Sequence, residues 1–120
     1  MGKLTIYMYP PCSTCKKAVK WGRDNGIHWE EVHIVEHPPT AEQLMQWADE
    51  NNLPLKSFFN TSGKKYRELQ LKDKLPTMTE NEKATLLSSD GMLIKRPIIT
   101  NGVTVTVGFK EEVAQATWLD

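Results

Sequence analysis

The chain has 120 residues, 39% apolar and 25% charged, the balance of a single soluble globular domain large enough to hold a core without staples. Fifteen basic residues offset fifteen acidic ones and the pI is about 6.8, which excludes the basic footprint of a protein bound to nucleic acid or anionic lipid. No apolar run approaches the roughly 18 residues of a membrane span.

The first residues, MGKLTIYMYPPC, lack a secretory core and cleavage site, and Ile6 stands where a myristoylation signal needs Ser or Thr. A cytoplasmic location is expected. Leu4 to Tyr9 is a short apolar run with β-propensity, read as a strand buried on both faces and closed by Pro10-Pro11. Cys15, Ala18, Val19 and Gly22 then recur at helical spacing, and Gly26 supplies a stop. Ile27 to Val35 alternates as a second strand, completing a βαβ unit.

Thr40 with Gln43 forms a capping box before Leu44, Trp47 and Ala48, and Leu53-Pro54 ends that helix. Leu55 to Phe59 makes a short turn. Lys64 to Leu71 is a further short helix, interrupted at Leu75-Pro76. Thr79 and Glu82 form a second capping box, opening a helix that Asp90-Gly91 closes. After Arg96-Pro97, Asn101-Gly102 lies between β-branched runs, the signal for a hairpin whose two turn residues both take positive φ. Phe109 to Trp118 is the last helix, with Val113 and Ala114 expected inward. The order is βαβ, a helical block, then ββα. It predicts an α/β thioredoxin-like fold with a mixed four-stranded sheet, one domain over 1–120, and a helical insertion at about 38–91.

Both cysteines lie in Cys12-Ser13-Thr14-Cys15, at the start of the first helix. Residues i and i+3 on one helical turn sit near disulfide distance, and the first faces free N–H groups and the positive end of the helix dipole. Lys16 and Lys17 add positive charge. Cys12 is therefore expected to carry a lowered pKa and act as nucleophile, with Cys15 as the resolving thiol. The bland alternative, small buried cysteines, suits Cys15 on its apolar stripe but not Cys12 behind two prolines. A second rival is zinc, because Cys12-x2-Cys15-x12-His28-x4-His33 has finger spacing. A finger, however, places its histidines on the helix, whereas here the helix lies between the pairs. His28 and His33 are expected on a strand and pointing to opposite faces, so no metal is assigned and the three histidines, with His37, are read as surface residues. Arg96-Pro97 opens the third strand. In thioredoxin-like folds a cis-proline commonly stands there, and Arg96 would then face the thiolate or offer a forked donor to an anion.

The motifs Tyr9-Pro10-x-Cys12-x-x-Cys15, Pro38-Pro39-Thr40, Lys65-Tyr66-Arg67-Glu68-Leu69, Leu93-Ile94-Lys95-Arg96-Pro97-Ile98 and Val107-Gly108-Phe109-Lys110-Glu111-Glu112 together resemble the arsenate reductase-like (ArsC) family. That family includes the Spx regulators and a YusI-like branch, which Phe59-Asn60-Thr61-Ser62-Gly63 resembles most. The resemblance implies a thiol-dependent oxidoreductase needing no cofactor, with thioredoxin, glutaredoxin or glutathione as reductant. In the family's arsenate reductases the residue matching Cys12 attacks arsenate, and three arginines hold the oxyanion. Arg96 matches one of these, while the other two fall near Asn60 and near Gly108-Phe109, so poor arsenate reduction is expected. The Spx branch implies the alternative, a redox-sensing regulator binding the RNA polymerase α subunit. The chain ends at Asp120 directly after its last helix, without that branch's C-terminal extension, which makes the polymerase partner the weaker expectation.

Overall fold

A computed structural model describes residues 3–119; Met1, Gly2 and Asp120, which the single-domain reading includes, lie outside the described residues. The chain divides into two compact units, residues 1–33 with 96–120 and residues 34–95. Among the described residues no helix is long and apolar enough to cross a membrane.

The first unit carries the sheet, with β1 (Leu4–Met8), β2 (Trp29–His33), β3 (Ile98–Thr100) and β4 (Val105–Val107) in the order β2-β1-β3-β4. β1 and β2 are parallel, whereas β3 runs antiparallel to both β1 and β4. This is a mixed thioredoxin-like sheet of the expected βαβ and ββα halves. Helix α1 (Ser13–Asp24) makes the crossover between β1 and β2, and the last helix of the chain, Glu111–Trp118, closes the unit. Ile6, Ala18 and Ile99 form the buried centre, with Met8, Val19, Trp29, Phe109 and Trp118 packed around them. Each such large side chain contributes roughly 1.5–3 kcal/mol on burial. At Gly22 an added Cβ would lie 2.5 Å from the Trp29 ring, so α1 meets the side chain that starts β2 too closely for a larger residue without a shift.

Several local expectations change. In β1 only Ile6 is fully buried, so the strand is not covered on both faces. The hairpin loop spans Asn101 to Thr104, and Gly102 alone takes positive φ there. The reason is side-chain chemistry: Asn101 Oδ1 accepts from the N–H groups of Val103 and Thr104, while Thr100 Oγ1 accepts from that of Gly102. These bonds replace the tight two-residue turn. In the last helix Ala114 is buried but Val113 is 47% exposed, because adjacent helical residues point about 100° apart and only one of the two faces inward.

The second unit is helical, comprising α2 (Ala41–Glu50), α3 (Lys64–Glu68), α4 (Leu71–Lys74) and α5 (Glu80–Ser89), with short 3-10 turns at Leu55–Phe58, Leu75–Thr77 and Gly91–Leu93. Both capping boxes form: Thr40 Oγ1 accepts from Gln43 N–H at 3.1 Å, and Thr79 Oγ1 accepts from Glu82 N–H at 3.1 Å. Leu44 and Trp47 of α2 are buried, as are Ala84 and Leu87 of α5, and the two helices lie against each other. The predicted Lys64–Leu71 helix breaks at Gln70, which adopts φ 55°, so α3 and α4 are separate. Pro76 does not cause that break; it sits in the first turn of a 3-10 segment, where its missing N–H costs nothing.

Candidate functional site

The site lies wholly in the first unit, where β1 ends and α1 begins. Pro10 and Pro11 stop the strand, and the Cys12 N–H donates to the Tyr9 carbonyl at 2.9 Å. That turn makes Cys12 the N-cap of α1, with φ −73° and ψ 121°. Its Sγ accepts from the Cys15 N–H at 3.4 Å, the place an N-cap oxygen usually takes. Cys12 is half-buried, and Cys15, one turn on, is fully buried on the inner stripe of α1. The Cys15 Sγ accepts in turn from the Tyr9 N–H at 3.4 Å.

The two sulfurs differ in acidity. Burial pushes the Cys12 thiol up, but hydrogen bonds from Cys15 and Arg96, with the charge of the Arg96 guanidinium, outweigh it and leave Cys12 below the ordinary 9.0. Burial dominates at Cys15, which is pushed up to about 12, and the neighbouring Cys12 adds to the rise. The thiolate form is therefore favoured at Cys12 relative to an ordinary thiol, while Cys15 holds its proton more tightly.

This asymmetry has a consequence for stability. A thiol whose folded pKa lies above its unfolded value contributes stability below pH 9.0, and loses it as the pH rises towards 12. Over that window the ionisation of Cys15 is expected to cost roughly 3–4 kcal/mol at 1.36 kcal/mol per unit. Urea unfolding between pH 8 and 11 checks this. Cys15→Ala should show a flatter decline than wild type, and parallel curves would rule Cys15 out as the cause.

Arg96 arrives from the segment just before β3, and the Arg96-Pro97 peptide bond is cis, as the fold reading expected. The guanidinium carbon stands 5.2 Å from the centroid of the Tyr9 ring, a cation–π contact. Pro97 is buried, and its carbonyl accepts from the Gly108 N–H at 2.8 Å, which ties the start of β3 to the end of β4. The structure thus brings Cys12, Cys15 and Arg96 together.

Two residues of this cluster escape sequence reading. Tyr9 reads from the sequence as the end of a strand, yet it contacts Cys12, Cys15, Arg96 and His33. His33 was read as a surface residue on a strand shared with His28. Instead it ends β2, half-buried, with its ring edge-on to Tyr9 at 5.6 Å, while His28 lies before the strand and is exposed. The register Met8↔His33 beside Tyr9 is the signal that could have found it. Among the described residues no group of three or more His, Cys, Asp or Glu side chains converges as a metal site would require.

The ArsC family profile matches residues 7–117. The chain belongs to the ArsC family. Its relatives within the ArsC family include the protein YusI of Bacillus subtilis (strain 168), 55% identical over 115 residues covering 96% of this chain and 98% of that protein. The global transcriptional regulator Spx of Streptococcus agalactiae is 28% identical over 114 residues, covering 94% of this chain and 81% of the regulator. The crystal structure of an ArsC family related protein from Bacteroides fragilis superposes with a TM-score of 0.90 at 47% identity, covering 95% of this chain and 96% of that one. This ArsC family chain is therefore a thioredoxin-like protein related to both arsenate reductases and Spx regulators.

Proposed function

We propose that this protein is a thiol–disulfide redox protein in which Cys12 is the nucleophile and Cys15 the resolving thiol. Arg96 supports the thiolate or an approaching anion, and Pro97 lines the groove. The observation that carries the reading is the N-cap position of Cys12, half-exposed, with its sulfur on the Cys15 N–H and under the influence of Arg96, while Cys15 is held buried and protonated behind it. The Cys12 thiolate attacks one sulfur of a substrate disulfide, forming a mixed disulfide and expelling a thiolate that takes up a proton. Cys15 then loses its proton and attacks the Cys12 sulfur, which releases the second substrate thiol and leaves a Cys12–Cys15 disulfide. Two electrons pass to the substrate, and thioredoxin, glutaredoxin or glutathione returns them. In this reading the helical unit, residues 34–95, is an insertion between the halves of the thioredoxin-like chain.

The likeness to Spx supports a second reading, a regulator whose affinity for RNA polymerase changes when the same disulfide forms. Both readings need an intramolecular bond. Mild oxidant should remove two hydrogens from the intact mass with no covalent dimer, and alkylation should then label neither cysteine. Labelling of both after oxidation would sink both readings. Steady turnover of a small disulfide by the reduced protein favours the enzyme, and redox-dependent capture of the polymerase α subunit favours the regulator.

A further inference from the structure

We propose that Tyr9 is a positioning residue of the thiol site: its ring holds the Arg96 guanidinium at Cys12 while its main chain ties both cysteines to the end of β1. The proposal rests on Cys12 being the reactive thiol. Three contacts from separate parts of the residue support it. The carbonyl accepts from the Cys12 N–H at 2.9 Å, which sets the nucleophile at the N-cap. The N–H donates to Cys15 Sγ at 3.4 Å, which orients the second sulfur. The ring face lies 5.2 Å from the Arg96 guanidinium carbon.

The ring contact is the one a side-chain substitution removes. Arginine on its long stem samples many rotamers, and confining it costs entropy. An aromatic face presents the negative side of its quadrupole to the cation and restricts it to stacked arrangements. The ring is itself held, because the edge-on His33 packs on it from β2 at 5.6 Å. Among the described residues, the charged and titratable groups in contact with Tyr9 include Arg96 and His33 at its ring and Cys12 and Cys15 at its main chain. Arg96 acts on the Cys12 sulfur directly, and Tyr9 acts through Arg96.

The test is the rate of Cys12 alkylation by iodoacetamide against pH, followed by peptide mass in the full-length protein. The variants are Tyr9→Phe, Tyr9→Leu, Arg96→Leu and the double variant Tyr9→Leu/Arg96→Leu. Tyr9→Phe keeps the aromatic face and should retain the wild-type profile. Tyr9→Leu should slow alkylation at neutral pH by roughly two- to tenfold and move the inflection to higher pH. In the Arg96→Leu background the Tyr9 substitution should add nothing. A Tyr9→Leu profile identical to wild type overturns the proposal. So does a Tyr9→Leu effect that persists in full without Arg96, since it would then run through His33 or the main chain. If the leucine variant fails to fold, Tyr9→Met removes the ring but leaves a long flexible side chain that can fill the gap, and carries the same comparison. A wild-type Cys12 that titrates as an ordinary thiol would instead defeat the redox reading itself, which separates the two failures.

Discussion

With a competent thiol donor, this protein should turn over arsenate on the order of 10²–10⁴-fold less efficiently than an ordinary enzyme of its kind. The expectation rests on two positions where the family's arsenate reductases carry arginine. At the first, Asn60 carries a neutral side-chain amide whose Oδ1 accepts from the Ser62 hydroxyl at 3.3 Å, while its main-chain N–H donates to the Leu93 carbonyl at 2.8 Å. At the second, Gly108 has φ 79°, a left-handed conformation that resists any side chain, and the Phe109 ring is engaged with Trp21 at 5.8 Å. Neither position offers a cation. Each charged hydrogen bond to a hydrated divalent oxyanion is worth roughly 1.5–3 kcal/mol, so two missing ones amount to roughly 3–6 kcal/mol. If both act in the transition state, kcat/KM falls by the stated factor at 1.36 kcal/mol per decade. A disulfide substrate needs no such clamp, and Cys12 should reduce one in the same preparation. Arsenate turnover around 10 s⁻¹, the median for enzymes, would sink the argument.

Substitution of the two cysteines should give opposite phenotypes. Cys12→Ser should lose disulfide reduction by at least on the order of 10³-fold, because a hydroxyl at the same N-cap remains protonated at any pH where the protein is folded. The remaining thiol cannot replace it, since Cys15 is 0% exposed and pushed up to about 12. Cys15→Ser should keep the first attack and stop at the mixed disulfide on Cys12, releasing one substrate thiol per chain. Its hydroxyl can still accept the Tyr9 N–H, so the N-cap turn should survive. A single-turnover experiment with a chromogenic disulfide, with intact mass taken at its end, measures both. Full activity in Cys12→Ser, or multiple turnovers in Cys15→Ser without added thiol, would remove the assigned roles.

The order of elements, the two capping boxes, the helical stripe through Cys15 and Ala18, and the Cys-x-x-Cys at a helix start were all legible in the sequence. Each is a local signal, set by residues within one or two turns of one another, and the βαβ and ββα pattern follows from their order. The acidity difference between the thiols was only half legible. The N-cap position of Cys12 follows from spacing, but the burial that raises Cys15 depends on what β1 and α1 pack against. Local signals also failed where a side chain competes with the main chain. Asn101 and Thr100 bond the hairpin loop open, and Gln70 breaks a helix that Pro76 alone was expected to interrupt. Tertiary structure alone added Tyr9 and His33 to the site. Arg96, Tyr9 and His33 come from three different strand ends, and the register of β1 between β2 and β3 brings a guanidinium and an imidazole to one aromatic ring beside the two cysteines. No spacing rule reaches across those separations, because the contact is made by sheet pairing and side-chain rotamers rather than by neighbours along the chain.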